Sequence, residues 1–151
     1  MSLKLDYRRC IVAVFTNSEG KILVGERSDV KNAWQLPQGG IEPGESSLEA
    51  LYREMKEELG CNEFEVLDVA RYEVTYRFPE NQTSKIAQKY CGQTQQWFLA
   101  RFHGKAGPDL EKCDGEFAQF SWKDPAEVVA NIISWKQDAY RKGFRLLNFE
   151  V

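Results

Sequence analysis

From Cys10 to Phe15 the chain is nearly all apolar, a run that reads as a buried strand. Asn17-Ser-Glu-Gly20 supplies turn chemistry, and residues 21–26 alternate apolar with polar. Residues 7–29 are therefore expected to form a β-hairpin. A polar loop with Arg27, Lys31 and Asn32 follows, and Trp34-Gln-Leu-Pro-Gln38 leads into an expected Gly39-Gly40 turn. The period then changes. Leu48, Leu51, Met55 and Leu59 recur at three- and four-residue spacing, the apolar stripe of a helix. Ser46 with Glu49 three residues on makes a capping box at its start, and Gly60 stands where a left-handed cap would end it.

Residues 65–76 alternate through Val66, Leu67, Val69, Tyr72, Val74 and Tyr76, the pattern of one strand. Residues 77–89 are polar, long enough for a mobile flap or an Ω-type loop. Residues 89–102 form the next expected strand, ending in Trp97-Phe-Leu-Ala100. After a glycine- and proline-bearing loop, residues 116–122 form another. Asp124 and Pro125 open a helix as N-cap and first position, with Val128, Val129, Ile132 and Ile133 apolar. A last helix spans about 134–147, with Tyr140, Phe144 and Leu147 inward. Strands and helices in this mixed order predict an α/β or α+β architecture.

Composition narrows the class. With 151 residues and 42% hydrophobic content, the expectation is one domain over residues 1–151 with its own core. A net charge of −3 argues against a general nucleic-acid coat while leaving room for a local basic groove. Cys10, Cys61, Cys91 and Cys113 show no zinc spacing, so free thiols in a reducing cytoplasm are the economical reading. No apolar run reaches the length of a membrane span, and residues 1–7 lack a signal-peptide core.

The chemistry lies on the first helix. Glu54, Glu57 and Glu58 stand at i, i+3 and i+4, so their side chains converge on one patch, with Glu45 a fourth carboxylate on the loop before it. Like charges at this spacing cost a few tenths of a kcal/mol per pair in an isolated helix. A hard divalent cation reverses that sign by taking carboxylate and phosphate oxygens together. An acidic solvated face is the bland alternative. The Gly39-Gly40 backbone, free of side chains, would let N–H groups approach a phosphate.

The full spacing decides between these. Gly39, five residues, Glu45, seven residues, then Arg53-Glu54-Met55-x-Glu57-Glu58-x-Gly60-Cys61 resembles the Nudix box at nine defined positions across 23 residues. Cys61 fills the final apolar position as a small buried thiol. The resemblance implies the Nudix fold, a mixed β-sheet sandwiched between helices (α/β/α). It also implies hydrolysis of a nucleoside diphosphate linked to another moiety. Two or more Mg²⁺ (or Mn²⁺) ions would sit on Glu54, Glu57, Glu58, Glu116 and the Gly39 backbone, with Arg53 orienting the carboxylates through salt bridges. Glu116 enters because its Glu-Phe-x-x-Phe-x-Trp context resembles that of the family's extra carboxylate. Hydrolysis would be attack of water on a bridging polyphosphate, with Glu57 or Glu116 as the base.

Flanking blocks sharpen the resemblance. Trp34-Gln-Leu-Pro-Gln-Gly-Gly40, Gly92-Gln-Thr-Gln-Gln-Trp-Phe98, Glu116-Phe-x-x-Phe-x-Trp122 and Ser134-Trp-Lys-Gln-Asp-Ala-Tyr-Arg141 resemble the bacterial RNA pyrophosphohydrolase and dinucleoside polyphosphate hydrolase group. This implies removal of pyrophosphate from 5′-triphosphorylated RNA, which promotes mRNA decay, or cleavage of diadenosine polyphosphates or nucleoside triphosphates. Trp135 and Tyr76 would stack a base, or else pack in the core. Arg8, Arg27 and Lys136 would neutralise phosphates, and Gln38, Gln93 and Gln95 would face the substrate channel. Ala33 stands where these enzymes often have serine, which removes one polar contact. A catalytically dead nucleotide-binding domain is the contrasting class, but such domains usually lose a box carboxylate, and Glu54, Glu57 and Glu58 are all present.

Overall fold

The computed structural model describes residues 6–151. Its centre is the strand β1 (Asp6–Phe15), whose last six residues are all buried. A strand buried on both faces must be covered from both sides, and it is. Ile11, Ala13 and Phe15 point to one apolar cluster, while Val12 and Val14 point to another.

The strands β2 (Ile22–Arg27), β3 (Trp34–Gln35) and β4 (Gln38–Gly40) precede the helix α1 (Ser47–Leu59). The expected β1–β2 hairpin does not form. Only one bridge, Thr16 to Ile22, joins the two stretches, because β1 takes β4 antiparallel on one edge and a later strand parallel on the other. The strand β2 peels away and pairs with β3 and β8 (Phe117–Lys123) in a separate antiparallel sheet. Residues 22–26 are all buried rather than alternating, since β2 is covered on both faces.

The stretch expected as one strand over 65–76 is two, β5 (Phe64–Val69) and β6 (Val74–Arg77), both antiparallel to β7 (Tyr90–Phe102). Val74 is buried, but Leu67, Val69 and Tyr72 are exposed, so alternation here marked an edge rather than a core strand. The polar loop between β6 and β7 contains a short helix, α2 (Lys85–Lys89), started by Ser84. The mixed sheet therefore runs β4-β1-β7-β5, with β6 also on β7.

Helices cover the sheet on both faces, as an α/β/α arrangement requires. Leu51, Met55 and Leu59 of α1 pack on the Ile11 side. The capping box at Ser46 and Glu49 and the left-handed Gly60 end this helix as expected. Leu48 shares the face of Met55 and Leu59 but lies in the first turn and is exposed, while Glu58 is buried. On the Val12 side lie α3 (Pro125–Asn131) and α4 (Gln137–Leu146). Asp124 caps α3 by position without a side-chain bond. Ile133 is exposed beyond it. Residues 134–136 form a 3₁₀ turn leading into α4, not the start of the α-helix itself. Tyr140, Phe144 and Leu147 do point inward. Gly143 lets α4 settle on the sheet, since a Cβ there would land in the Trp97 ring. The Tyr140 hydroxyl accepts from the Leu36 N–H at 3.1 Å, tying α4 to the segment that carries Gln38 and Gly39. Cys61 is half-buried, not fully enclosed. Among the described residues no helix is long and apolar enough to cross a membrane.

Candidate active site

A cavity of about 680 Å³ opens where α1, β4, β6, β7 and the 3₁₀ turn meet. Its lining brings together Arg8, Arg27, Gln38, Gly39, Glu54, Glu57, Glu58, Tyr76, Gln93, Glu116, Trp135 and Lys136. Of the residues expected at the site, Arg53 and Gln95 stand outside the lining. A larger open concavity of about 970 Å³ lies past the C-terminus of α1, bordered by Lys56, Gly60 and Lys112, and contains none of them.

The carboxylates occupy different depths, because a helix turns 100° per residue and only part of the acidic stripe can face outward. Glu57 remains half-exposed. Glu58 points into the protein and is 4% exposed. It accepts from the Gln38 N–H at 3.3 Å. Burial raises its pKa well above the usual carboxylate range, and the adjoining Glu116 carboxylate raises it further. Burial also raises Glu54, opposed by the hydrogen bond and charge of Arg53. Glu116 stands just before β8, not within it, where its N–H donates to Asp114 Oδ1 at 3.0 Å. Asp114 in turn donates its N–H to the Glu57 carbonyl at 2.7 Å, so the end of α1 fixes the loop that carries Glu116.

Arg53 lies behind this acidic floor. Its Nε and Nη2 donate to the two Glu45 oxygens at 2.7 and 2.8 Å, and its Nη1 to Glu54 at 2.9 Å. Glu45 is therefore spent on Arg53 and does not add a fourth carboxylate to the cavity. Its pKa falls to about 2, chiefly through the Arg53 hydrogen bond.

The expected glycine turn is instead strand β4, antiparallel to Cys10–Val12. The glycines serve close packing. A Cβ on Gly39 would collide with the Glu54 carboxylate, and one on Gly40 would meet the Arg8 guanidinium at 2.6 Å.

Opposite the carboxylates stands an aromatic wall. Tyr76, Phe78 and Trp135 pack mutually with ring centroids 5.9 to 6.1 Å apart. The Tyr76 hydroxyl and the Trp135 indole N–H are buried without a protein hydrogen-bond partner among the described residues. Lys136 Nζ sits 5.2 Å from the Trp135 ring centroid, and burial lowers its pKa to about 8. Arg27 makes a two-pronged pair with Asp29 at 2.9 and 2.6 Å on the rim.

Gln93 lines the cavity, but Gln95 does not. Gln95 is 1% exposed, donates to Gln93 at 2.9 Å and accepts from the Trp97 indole at 3.0 Å. It is a buried brace behind Gln93, which is itself only 3% exposed. Phe78 was not among the expected residues. Its spacing of two from Tyr76 was the available signal, masked by the polar residues that follow it.

All-oxygen donors, partly buried and mutually repelling, fit a hard divalent cation. Among the described residues they do not form a ready-made three-ligand cage. Arg53 holds Glu54 by Oε1 and the Gln38 N–H holds Glu58 by Oε2, so each carboxylate keeps its second oxygen for a cation.

A helix bearing this acidic stripe, packed on a mixed sheet between helices, defines a class. The chain belongs to the Nudix family of hydrolases: the NUDIX domain matches residues 6–143. Nudix hydrolases generally use divalent metal ions such as Mg²⁺. The chain is 41% identical over 153 residues to an RNA pyrophosphohydrolase of Erythrobacter litoralis, covering 95% of this chain and 93% of that protein. It is 38% identical over 146 residues to the chloroplastic Nudix hydrolase 26 of Arabidopsis thaliana, covering 90% of this chain and 67% of the relative. Its fold matches the E. coli dihydroneopterin triphosphate pyrophosphohydrolase with a TM-score of 0.69 at 22% identity, over 95% of this chain and 99% of that one.

Proposed function

We propose that this protein is an RNA 5′-pyrophosphohydrolase. It would remove pyrophosphate from 5′-triphosphorylated RNA to leave a 5′-monophosphate and so promote mRNA decay, acting as a single Nudix domain in the cytoplasm. The observation that carries the reading is one cavity holding both a carboxylate floor and an aromatic wall with cations beside it. A polyphosphate needs the first, and an unpaired nucleoside needs the second. The RNA pyrophosphohydrolase relative supports the same substrate.

In this scheme Glu54, Glu57, Glu58, Glu116 and the Gly39 backbone would hold Mg²⁺ or Mn²⁺, two or more ions, which would supply charge neutralisation at the phosphate oxygens and an acidified water. Glu57 or Glu116 takes the proton from the attacking water. Arg53 fixes Glu54 through its hydrogen bond, and Arg8, Arg27 and Lys136 offset the phosphate charge. Tyr76 and Trp135 stack the base, while Gln38 and Gln93 offer polar contacts in the channel and Gln95 braces Gln93.

Turnover with Mg²⁺ on a short 5′-triphosphorylated RNA, diadenosine tetraphosphate and free nucleoside triphosphates tests this. The expected result is highest kcat/KM on RNA. Preference for the small molecules would make the protein a (di)nucleoside polyphosphate hydrolase with the same floor.

A further inference from the structure

We propose that the rim segment between β6 and β7, with Lys85 and Lys89 at its centre, docks the single strand that continues 3′ of the reacting nucleotide. The inference rests on the RNA reading and extends it beyond the nucleotides that the cavity itself can hold.

The cavity has a polarity. Carboxylates form one part of its lining and Tyr76, Phe78 and Trp135 another. With the polyphosphate on the first and a nucleoside on the second, the chain must leave past what remains. Gln82, Ser84 and Ile86 supply part of that remaining lining, and all three lie on the rim segment.

This rim is hydrogen-bonded at its base and around α2. Phe78 donates its N–H to the Cys91 carbonyl at 2.8 Å, closing the segment at its base. Ser84 Oγ accepts from the Ala87 N–H at 3.2 Å, and the Gln88 side chain donates to the Thr83 carbonyl at 3.2 Å. A Cβ at Gly92 would collide with the Tyr76 carbonyl, so glycine there lets β6 and β7 close under the rim.

Its charge suits a phosphodiester chain. Between β6 and β7 the segment carries one carboxylate, Glu80, at its start, and from Asn81 on there is no Asp or Glu until Asp109, although the protein carries 23 of them and a net charge of −3. Lys85 and Lys89 are exposed and four residues apart on α2, so they share a face. Neither is ion-paired among the described residues. Ile86 between them is 38% exposed and offers an apolar rest for a base or ribose. Cations beside an apolar contact recur in sequence-tolerant single-strand binding.

The test compares wild type with the Lys85→Gln/Lys89→Gln double variant in Mg²⁺, on a 5′-triphosphorylated dinucleotide and a 5′-triphosphorylated hexanucleotide across a salt series. Wild type is expected to prefer the hexanucleotide. The variant should lose about three- to tenfold in kcat/KM on it, with a log–log salt slope shallower by about 0.7 per lost phosphate contact. Its rate on the dinucleotide should be unchanged, and a Lys85→Glu/Lys89→Glu variant should deepen the hexanucleotide loss alone. Equal loss on both RNAs, or none on the hexanucleotide, would overturn the surface while leaving the RNA activity standing. A wild-type protein that turns over neither RNA would overturn the activity itself, and the surface with it.

Discussion

Arg53 and Glu45 face each other as fork to fork, two N–H groups on two carboxylate oxygens at 2.7 and 2.8 Å. The same guanidinium donates to the Gly40 carbonyl at 2.8 Å and to Glu54 at 2.9 Å. One side chain thus pins the loop before α1, the strand β4 and a carboxylate of the cavity to one another. Lysine could not replace it, because an ammonium offers no planar fork.

Acid should loosen this joint. Glu45 is held at about 2, below its ordinary 4.5, so its contribution to stability is complete above 4.5 and is lost as pH falls through about 2. Glu45→Gln should flatten that part of the stability–pH curve, read by urea midpoints between pH 2 and 6. Arg53→Ala should cost about 1–3 kcal/mol at neutral pH, since Glu54 loses its partner while partly buried. An unchanged midpoint in Arg53→Ala would show the joint to be dispensable.

Glu57 is half-exposed and its only ion pair, with Arg53, is long at 3.6 Å, so its side chain should add little to stability. Glu57→Gln should leave the melting temperature within a few degrees and lower kcat by about 10²–10⁴-fold. Full turnover in that variant would remove Glu57 from the chemistry.

Gly39 can be probed with a single methyl group. Because a Cβ there overlaps the Glu54 carboxylate, Gly39→Ala should displace Glu54 or β4. The expected outcome is a fall in kcat with a weaker apparent affinity for Mg²⁺, measured by titrating the metal at saturating substrate. Unaltered metal dependence would mean that Glu54 moves aside without consequence.

Trp135 separates stacking from packing. Base stacking is worth roughly 1–3 kcal/mol, so Trp135→Ala should raise KM for RNA by about 5- to 150-fold. The effect on diadenosine tetraphosphate should be far smaller. If both substrates suffer alike, the indole serves only to pack on Tyr76 and Phe78.

Lys136 should give the enzyme a pH limit. Burial, then the charge of Arg27, lowers its pKa to about 8, so the ammonium is charged below that pH and neutral above it. A phosphate contact needs the charged form, and KM for RNA should therefore climb as pH rises through about 8. Lys136→Gln should have a raised KM at pH 7 and lack this limb, seen in KM–pH profiles of the two proteins.

Much of this protein was legible in its sequence. Wherever chemistry is set by spacing along one helix, the sequence determined it: the capping box at Ser46 and Glu49, the left-handed Gly60, and Glu54 and Glu58 one turn apart are local relationships. What needed the tertiary structure is whatever depends on neighbours distant in the chain. The alternation at 21–26 could not reveal that β2 joins β8 in a second sheet, because pairing partners lie a hundred residues away and periodicity reports only faces. Gly39 and Gly40 read as a turn, yet their missing side chains admit Glu54 and Arg8 from other elements. Gln93 and Gln95 share one face of a strand and are both buried, and only the elements packed around them decide that the first meets the cavity while the second is sealed against Trp97. Burial separates Glu58 from Glu57 in the same way. A helix places its carboxylates on a stripe, but the sheet beneath decides which of them loses its water, and with it which carboxylate resists ionisation.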